Sequence, residues 1–333
     1  MSSSLPVNRP QETENFGAAP GWRSAVSHAD HARSVAVRDS AMVQLGRGSA
    51  NCDSIRAMGA DCSIVRLKSA PRMSGYLVPD PAWAVITMPL GWSGDYVLNG
   101  RPVRPGDVNV VTSANGYAST GQDRNILGVG LRAERLRRTI ATHLGKPGDE
   151  VSPGDCVLEL GEAAGARFAQ GILSILNATV QAAPGYAVVS SIDEDLLFEH
   201  IARTLCLSLP SKHAWDYSAS GDLSIVRSAR EMITASREVP TLADLCARLN
   251  IGQTRLNACF RSVHGMPPAR FIRRLQLSRV HKKLTDAQAP PRSVKCVALA
   301  HGFTHGGRFA AEYRSVFGEL PSETCQKLKK RFT

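Results

Sequence analysis

The hydrophobic rhythm of the chain changes part-way along. From about residue 35 to residue 132, apolar positions come in short runs broken by proline and glycine: Ile64-Val65-Arg66-Leu67, Trp83-Ala84-Val85-Ile86-Thr87-Met88, Val108-Asn109-Val110-Val111 and Ile126-Leu127-Gly128-Val129. Runs of this length, rich in β-branched residues and bounded by turn formers, predict strands. Tyr96-Val97-Leu98 leads into Asn99-Gly100, a pair that tolerates positive φ and so favours a two-residue hairpin turn, and Pro105-Gly106-Asp107 opens the next strand. Many short strands with regular turn signals predict a β-sandwich or barrel. The period then lengthens. Leu136, Ile140 and Leu144 share a helical face, as do Phe168, Ile172, Ile175, Leu176 and Val180. A third helix is expected from Ser191, a cap ahead of Asp193 and Glu194, to about Leu209, with Leu197, Ile201, Leu205 and Leu209 inward. Residues 210–221 are polar and rich in helix breakers, which marks a linker.

Beyond the linker the period is helical, and one pattern is written twice. Phe260-Arg261-Ser262-Val263-His264-Gly265 returns 53 positions later as Tyr313-Arg314-Ser315-Val316-Phe317-Gly318, and a proline follows each copy (Pro268, Pro321). Each copy is preceded by a short amphipathic stretch and a tight turn, which predicts a helix-turn-helix built twice. In the first unit Thr241 caps a helix with Leu242, Leu245, Cys246 and Leu249 inward. Asn250 suits the left-handed exit, and Gly252 caps a second helix that buries Leu256, Cys259, Phe260 and Val263. In the second unit Ser293 caps a helix with Val294, Val297 and Ala298 inward. His301-Gly302 ends that helix, and Thr304 is expected to cap the next, with Phe309, Tyr313 and Val316 inward. Residues 268–286 between the units read as a helix roughly 28 Å long, comparable with the ~34 Å turn of DNA. Phe271, Leu275 and Leu284 are its packing residues.

Charge separates the same two regions. The net charge is +11, yet residues 221–333 hold 20 Lys and Arg against 8 Asp and Glu, while residues 1–220 hold 20 against 21. A neutral half joined to a strongly basic one fits a sensing or assembly domain attached to a polyanion-binding domain. The eight cysteines form no C-x-x-C pair, so reduced buried thiols are expected rather than a disulfide framework or zinc site. Residues 1–30 lack an apolar core segment and read as a disordered leader, neither signal peptide nor membrane span. A soluble, cytoplasmic protein is expected.

The outer faces of the second helix in each unit carry the candidate chemistry. Gln253, Thr254, Arg255, Asn257, Ala258 and Arg261 lie outside in the first, and His305, Gly307, Arg308, Ala311 and Glu312 in the second. Amide and guanidinium groups at such spacing suit base edges in the major groove, small Ala258 permits close approach, and Arg308 suits guanine. The candidate base contacts are therefore Gln253, Thr254, Asn257, Ala258, His305, Gly307, Arg308 and Ala311. Arg255, Arg261, Arg273, Arg274, Lys282, Lys283 and Arg314 are candidate phosphate contacts, joined by the basic 327–331 tail.

At these residues the chain resembles the AraC/XylS family of bacterial transcription regulators. The resemblance covers about residues 223–327 and rests on Leu242-Ala243-Asp244-Leu245, the linker helix, and Gly302-Phe303 through Gly318 to Pro321. It implies two helix-turn-helix subdomains bridged by one long helix, with base-contact positions at Thr254, Asn257, Ala258, Gly307, Arg308 and Ala311. Gln276 stands where the family commonly has arginine. The N-terminal half resembles that family's cupin-like sensing domain around Pro105-Gly106-Asp107. No histidine occurs between His31 and His143, which argues against the metal motif of cupin enzymes. The expected fold class is α+β: an N-terminal cupin-like β-barrel or sandwich with flanking helices, and a C-terminal all-α domain of two helix-turn-helix subdomains joined by a long helix. The expected division is a leader at 1–30, a cupin-like effector-binding or dimerisation domain at 31–209, a linker at 210–221 and a DNA-binding domain at 222–333. Trp83, Trp92 and Tyr96 are candidate lining of an effector pocket. Expected partners are double-stranded DNA, a small-molecule effector, RNA polymerase and a second copy of the chain; no cofactor, metal or catalytic residue is implied. The rival reading is a DNA-directed alkyl-transfer enzyme with Cys52 or Cys62 as nucleophile, which requires an electropositive, accessible thiol.

Overall fold

The computed structural model describes residues 23–26, 36–49, 52–112, 115–151, 154–182, 187–208, 214–216, 221–236, 239–286 and 293–331. The N-terminal region is sheet-rich and the C-terminal region helical. Strands β1 (Arg23–Val26), β2 (Val37–Gln44), β3 (Cys52–Met58), β4 (Cys62–Ser69), β5 (Met73–Pro79), β6 (Trp83–Leu98), β7 (Arg101–Pro102), β8 (Asp107–Val111), β9 (Tyr117–Arg132), β10 (Cys156–Glu159) and β11 (Ala214–Asp216) form one connected sheet. Its order is β1-β3-β4-β9-β6-β8-β10-β11, with β5 pairing β9 and carrying β2. These pairings do not close the described strands into a ring, so the expected barrel is an open sheet here.

The turn chemistry works as its residues dictate. Asn99 and Gly100 both take positive φ, 50° and 85°, and place Leu98 opposite Arg101. The Asn99 side-chain oxygen accepts the Ala118 amide at 2.7 Å, which ties the turn back onto β9. β6 and β9 are long strands whose register shifts between Pro89 and Val97, where a continuous ladder must bend. Two expectations fail at the edges. β1 pairs with β3 inside the stretch read as a disordered leader, whose remaining residues lie outside those described. β11 pairs with β10 inside the stretch read as a linker, because backbone pairing needs no hydrophobic pattern to announce it.

Helices α1 (Ala133–Leu144), α2 (Glu162–Ala182) and α3 (Ser191–Ser208) cover the sheet. Leu136, Ile140, Phe168, Ile172, Leu176, Leu197, Ile201 and Leu205 share one cluster with Ile64, Ile86, Val110, Leu127 and Leu131. Leu144, at the end of α1, is 41% exposed instead, and Leu209 lies outside the described residues.

The C-terminal helices are α4 (Gly221–Ala235), α5 (Leu242–Leu249), α6 (Gln253–His264), α7 (Pro268–Leu284), α8 (Val294–Ala300), α9 (Gly306–Phe317) and α10 (Pro321–Arg331). The Thr241 hydroxyl accepts the Asp244 amide, and the Asp244 carboxylate accepts the Thr241 amide, a reciprocal box that starts α5. Thr241→Ala should lower stability by about 1 kcal/mol, measured by urea unfolding. Asn250 exits α5 at φ 52° and Gly252 caps α6. Ser293 caps α8 as expected, but the cap of α9 is His305 rather than Thr304, without a side-chain bond. Each repeated proline begins the next helix: Pro268 opens α7 and Pro321 opens α10.

Candidate nucleic-acid interface

The two units are held from within. Leu256, Cys259, Phe260 and Val263 of α6 are fully buried with Leu245 of α5. Phe309, Tyr313 and Val316 of α9 pack with Val297, Ala298 and Phe303, and Tyr313 donates to or accepts from Thr324 of α10 at 2.9 Å. α7 serves both cores, giving Phe271, Ile272 and Leu275 to the first and Leu277, Val280 and Leu284 to the second. The Gln276 amide donates to the His301 carbonyl at 3.2 Å, fastening α7 to the turn of the second unit. α4 packs its Leu223, Val226, Ala229 and Ile233 in the first core. The sequence reading did not assign this helix, although that spacing was its signal.

With these faces inside, the remaining positions point out. Gln253, Thr254, Arg255, Ala258 and Arg261 are exposed and Asn257 is half-buried; His305, Gly307, Arg308, Ala311 and Arg314 are exposed. Several cations have structural partners. Arg255 pairs with Asp222 at 2.6 Å, which ties the start of α6 to α4. Arg273 pairs with Glu312 at 2.6 Å and lies 3.9 Å over the Phe303 ring, so it braces α7 against the second unit. Arg308 reaches the other Glu312 oxygen at 3.1 Å while staying 79% exposed. The Arg273 and Arg308 bonds hold the Glu312 carboxyl below its ordinary range. Sequence reasoning placed Glu312 only on an outer face and gave it no role; its i, i+4 spacing from Arg308 was the available signal. Arg274 is partly buried, with Nη1 unbonded among the described residues, and burial lowers its guanidinium. Lys282 is exposed, and Lys283 lies 3.3 Å from Asp286.

The sheet grips both units at the same place in the repeat. The Val263 carbonyl accepts from Thr120 Oγ1 at 3.3 Å, and the Val316 carbonyl accepts from Gln44 Nε2 at 2.9 Å and the Gly48 amide at 3.0 Å. These valines occupy one position of the repeated phrase, where helix carbonyls run out of intrahelical donors. His264 Nδ1 lies 2.7 Å from Ser74 Oγ, and its ring stacks on Phe271 at 4.1 Å. Burial lowers its pKa to about 3. Arg230 of α4 crosses from the other side, 3.5 Å over Tyr76 and 3.2 Å from Asp39. Val43, Leu45, Tyr76, Val78 and Ala118 share one apolar cluster with α4, α6 and α7. All these contacts leave the outer faces uncovered.

The sheet also lines a partly open cavity of about 160 Å³, bordered by Met42, Ile64, Tyr76, Val85, Tyr117, Arg124 and Val129 among others. Trp83, Trp92 and Tyr96 are not among its lining residues. Trp83 is buried beneath the Arg132 guanidinium, and Trp92 packs at a tilt on buried Tyr96. Cys52 and Cys62 are buried, and burial pushes both thiols up to about 12, the opposite of an activated nucleophile.

A helix-turn-helix domain family matches residues 245–327. XylDLEGF operon transcriptional activator 2 of Pseudomonas putida is 32% identical over 136 residues, covering 39% of this chain and 85% of that one. The chain belongs to the AraC/XylS family. XylDLEGF operon transcriptional activator 1 of Pseudomonas putida is 35% identical over 135 residues. That match covers 40% of each chain, so this AraC/XylS protein matches about two fifths of the length of that relative. A probable AraC family transcriptional regulator from Rhodopseudomonas palustris CGA009, known as a crystal structure, is 35% identical and covers 32% of this chain and 97% of its own, with a TM-score of 0.29.

Proposed function

We propose that this AraC/XylS protein is a sequence-specific DNA-binding transcription regulator that sets α6 and α9 in adjacent major grooves. The supporting observation is that α6 and α9 bury Leu256, Cys259, Phe260 and Val263, and Phe309, Tyr313 and Val316, and leave polar faces exposed, with α7 packed in both cores as a spacer. Gln253, Thr254, Asn257, Ala258, His305, Gly307, Arg308 and Ala311 read bases in this account. Arg308 bonds Glu312 through Nε at 3.1 Å and stays 79% exposed, so its guanidinium is partly ordered before DNA arrives, which lowers the cost of binding. Arg261, Lys282 and Arg314 contact phosphate without rearrangement, whereas Arg255, Arg273 and Lys283 first have to share or release carboxylate partners.

The N-terminal region acts as the family's cupin-like effector domain and biases the DNA-binding half through the shared cluster and the bonds to Val263 and Val316. RNA polymerase and a second copy of the chain are the further partners of a cytoplasmic regulator of this kind. Among the described residues no helix is long and apolar enough to cross a membrane.

Binding-site selection from a random library tests the reading. One preferred sequence should emerge, and Lys282→Ala should weaken binding evenly across sequences and lower the salt slope by about 1. Equal affinity for every library member would overturn the proposal.

A further inference from the structure

Arg308 is the first long side chain of α9, because Gly306 and Gly307 ahead of it bring none. Its Nε donates to Glu312 Oε1 at 3.1 Å, and Glu312 is its one partner among the described residues. A guanidinium that gives its Nε to a carboxylate still offers Nη1 and Nη2, a fork that fits guanine O6 and N7. Where that fork points is therefore decided by where Glu312 stands.

Glu312 is itself held from the spacer helix. Its other oxygen, Oε2, accepts from Arg273 Nε of α7 at 2.6 Å. Arg273 in turn lies 3.9 Å over the ring of Phe303, which is buried in the core of the second unit. A core ring, a guanidinium and a carboxylate thus run in series from α7 to the outer face of α9. Without Arg273, the i, i+4 spacing lets Glu312 turn both oxygens onto Arg308. A carboxylate that takes a guanidinium with both oxygens occupies N–H groups that a base edge would otherwise receive. To reach phosphate, Arg273 would have to give up Glu312 and the Phe303 ring together.

We propose that Arg273 is a positioning residue for base recognition: it holds Glu312 so that Arg308 presents its free fork, and it sets the base preference of the second unit without touching DNA. This role rests on the reading of α9 as a helix that enters a groove, and it takes Arg273 out of the phosphate contacts.

Binding-site selection at several salt concentrations tests the role, with the full parent chain, Arg273→Met, Arg273→Lys, Arg308→Ala and the double variant Arg273→Met/Arg308→Ala. Methionine keeps an unbranched apolar chain beside Phe303 but offers Glu312 no charge. Arg273→Met should cut preference at the Arg308 base position by about fivefold or more, the low end for one base contact. Preference at the Asn257 position and the salt slope should stay as in the parent. Arg273→Lys, which keeps a cation beside Glu312, should retain part of the lost preference. Added to Arg308→Ala, Arg273→Met should change preference no further. A salt slope lowered by about 1 with base preference intact would make Arg273 a phosphate contact and overturn the proposal. Equal relaxation at every position read by α9 would overturn it too, since that is the effect of a misplaced helix. If Arg273→Met fails to fold, Arg273→Lys and Glu312→Gln decide: both should weaken preference at the Arg308 position, and unchanged preference in both would overturn the role. A parent chain that selects no sequence would sink the regulator reading and this role with it. A selective parent with an unchanged Arg273→Met would sink this role alone.

Discussion

Lowering the pH from 7 to 4.5 should strip several kcal/mol of folding stability from this protein, through two histidines. His264 is fully buried against Phe271 and Ser74, and burial lowers its pKa to about 3. His281 stacks on Phe317 at 4.4 Å, bonds the Tyr313 hydroxyl at 2.6 Å, and is lowered to about 4 by burial. Both are neutral when folded and take up a proton near pH 6.5 when unfolded. Their contribution is complete above pH 6.5 and declines as the pH falls towards 4 and then 3, on the order of 1.4 kcal/mol per pH unit for each. Glu312, held low mainly by its bond from Arg273, gives up its contribution only below about 4.5, so the range above that belongs to the histidines. Urea midpoints measured from pH 7 to 4.5 should fall steadily; a flat profile would contradict the burial described for both rings.

Phe271→Ala should be the most damaging single truncation. The ring is 1% exposed, stacks on His264 and meets Phe260 edge-on at 5.6 Å. Losing it leaves a cavity where α6, α7 and the sheet share one apolar cluster, at a cost of about 3–5 kcal/mol. It should also loosen the grip of the sheet on α6, since the His264 ring loses the surface that fixes its bond to Ser74. The change in free energy of unfolding in urea is the measurement. A loss below about 1 kcal/mol would mean that this cluster does not join the two regions.

Local pattern made much of this legible. The repeated phrase, the caps at Thr241 and Ser293, the left-handed Asn250 and the Asn99-Gly100 turn each depend on neighbours within a few residues, and all appear in the structure. What stayed hidden depends on distant partners. Arg255 and Arg273 look like solvent-facing cations until Asp222 and Glu312 arrive beside them. β11 carries no periodic signal and exists by pairing with β10. Trp83, Trp92 and Tyr96 pack on neighbours, whereas the cavity gathers residues from several strands, which no local pattern announces. The hold on Val263 and Val316 could not be read either, since Thr120 and Gln44 lie far away in sequence.

The central claim is that α6 and α9 read two separate groove segments at once. Parallel binding-site selection with the parent chain, Asn257→Ala and Arg308→Ala measures this most directly. Asn257→Ala should relax preference at one position and Arg308→Ala at another about one helical turn away, each by about 1–3 kcal/mol. Relaxation of the same position by both, or an even weakening across all sequences, would contradict it.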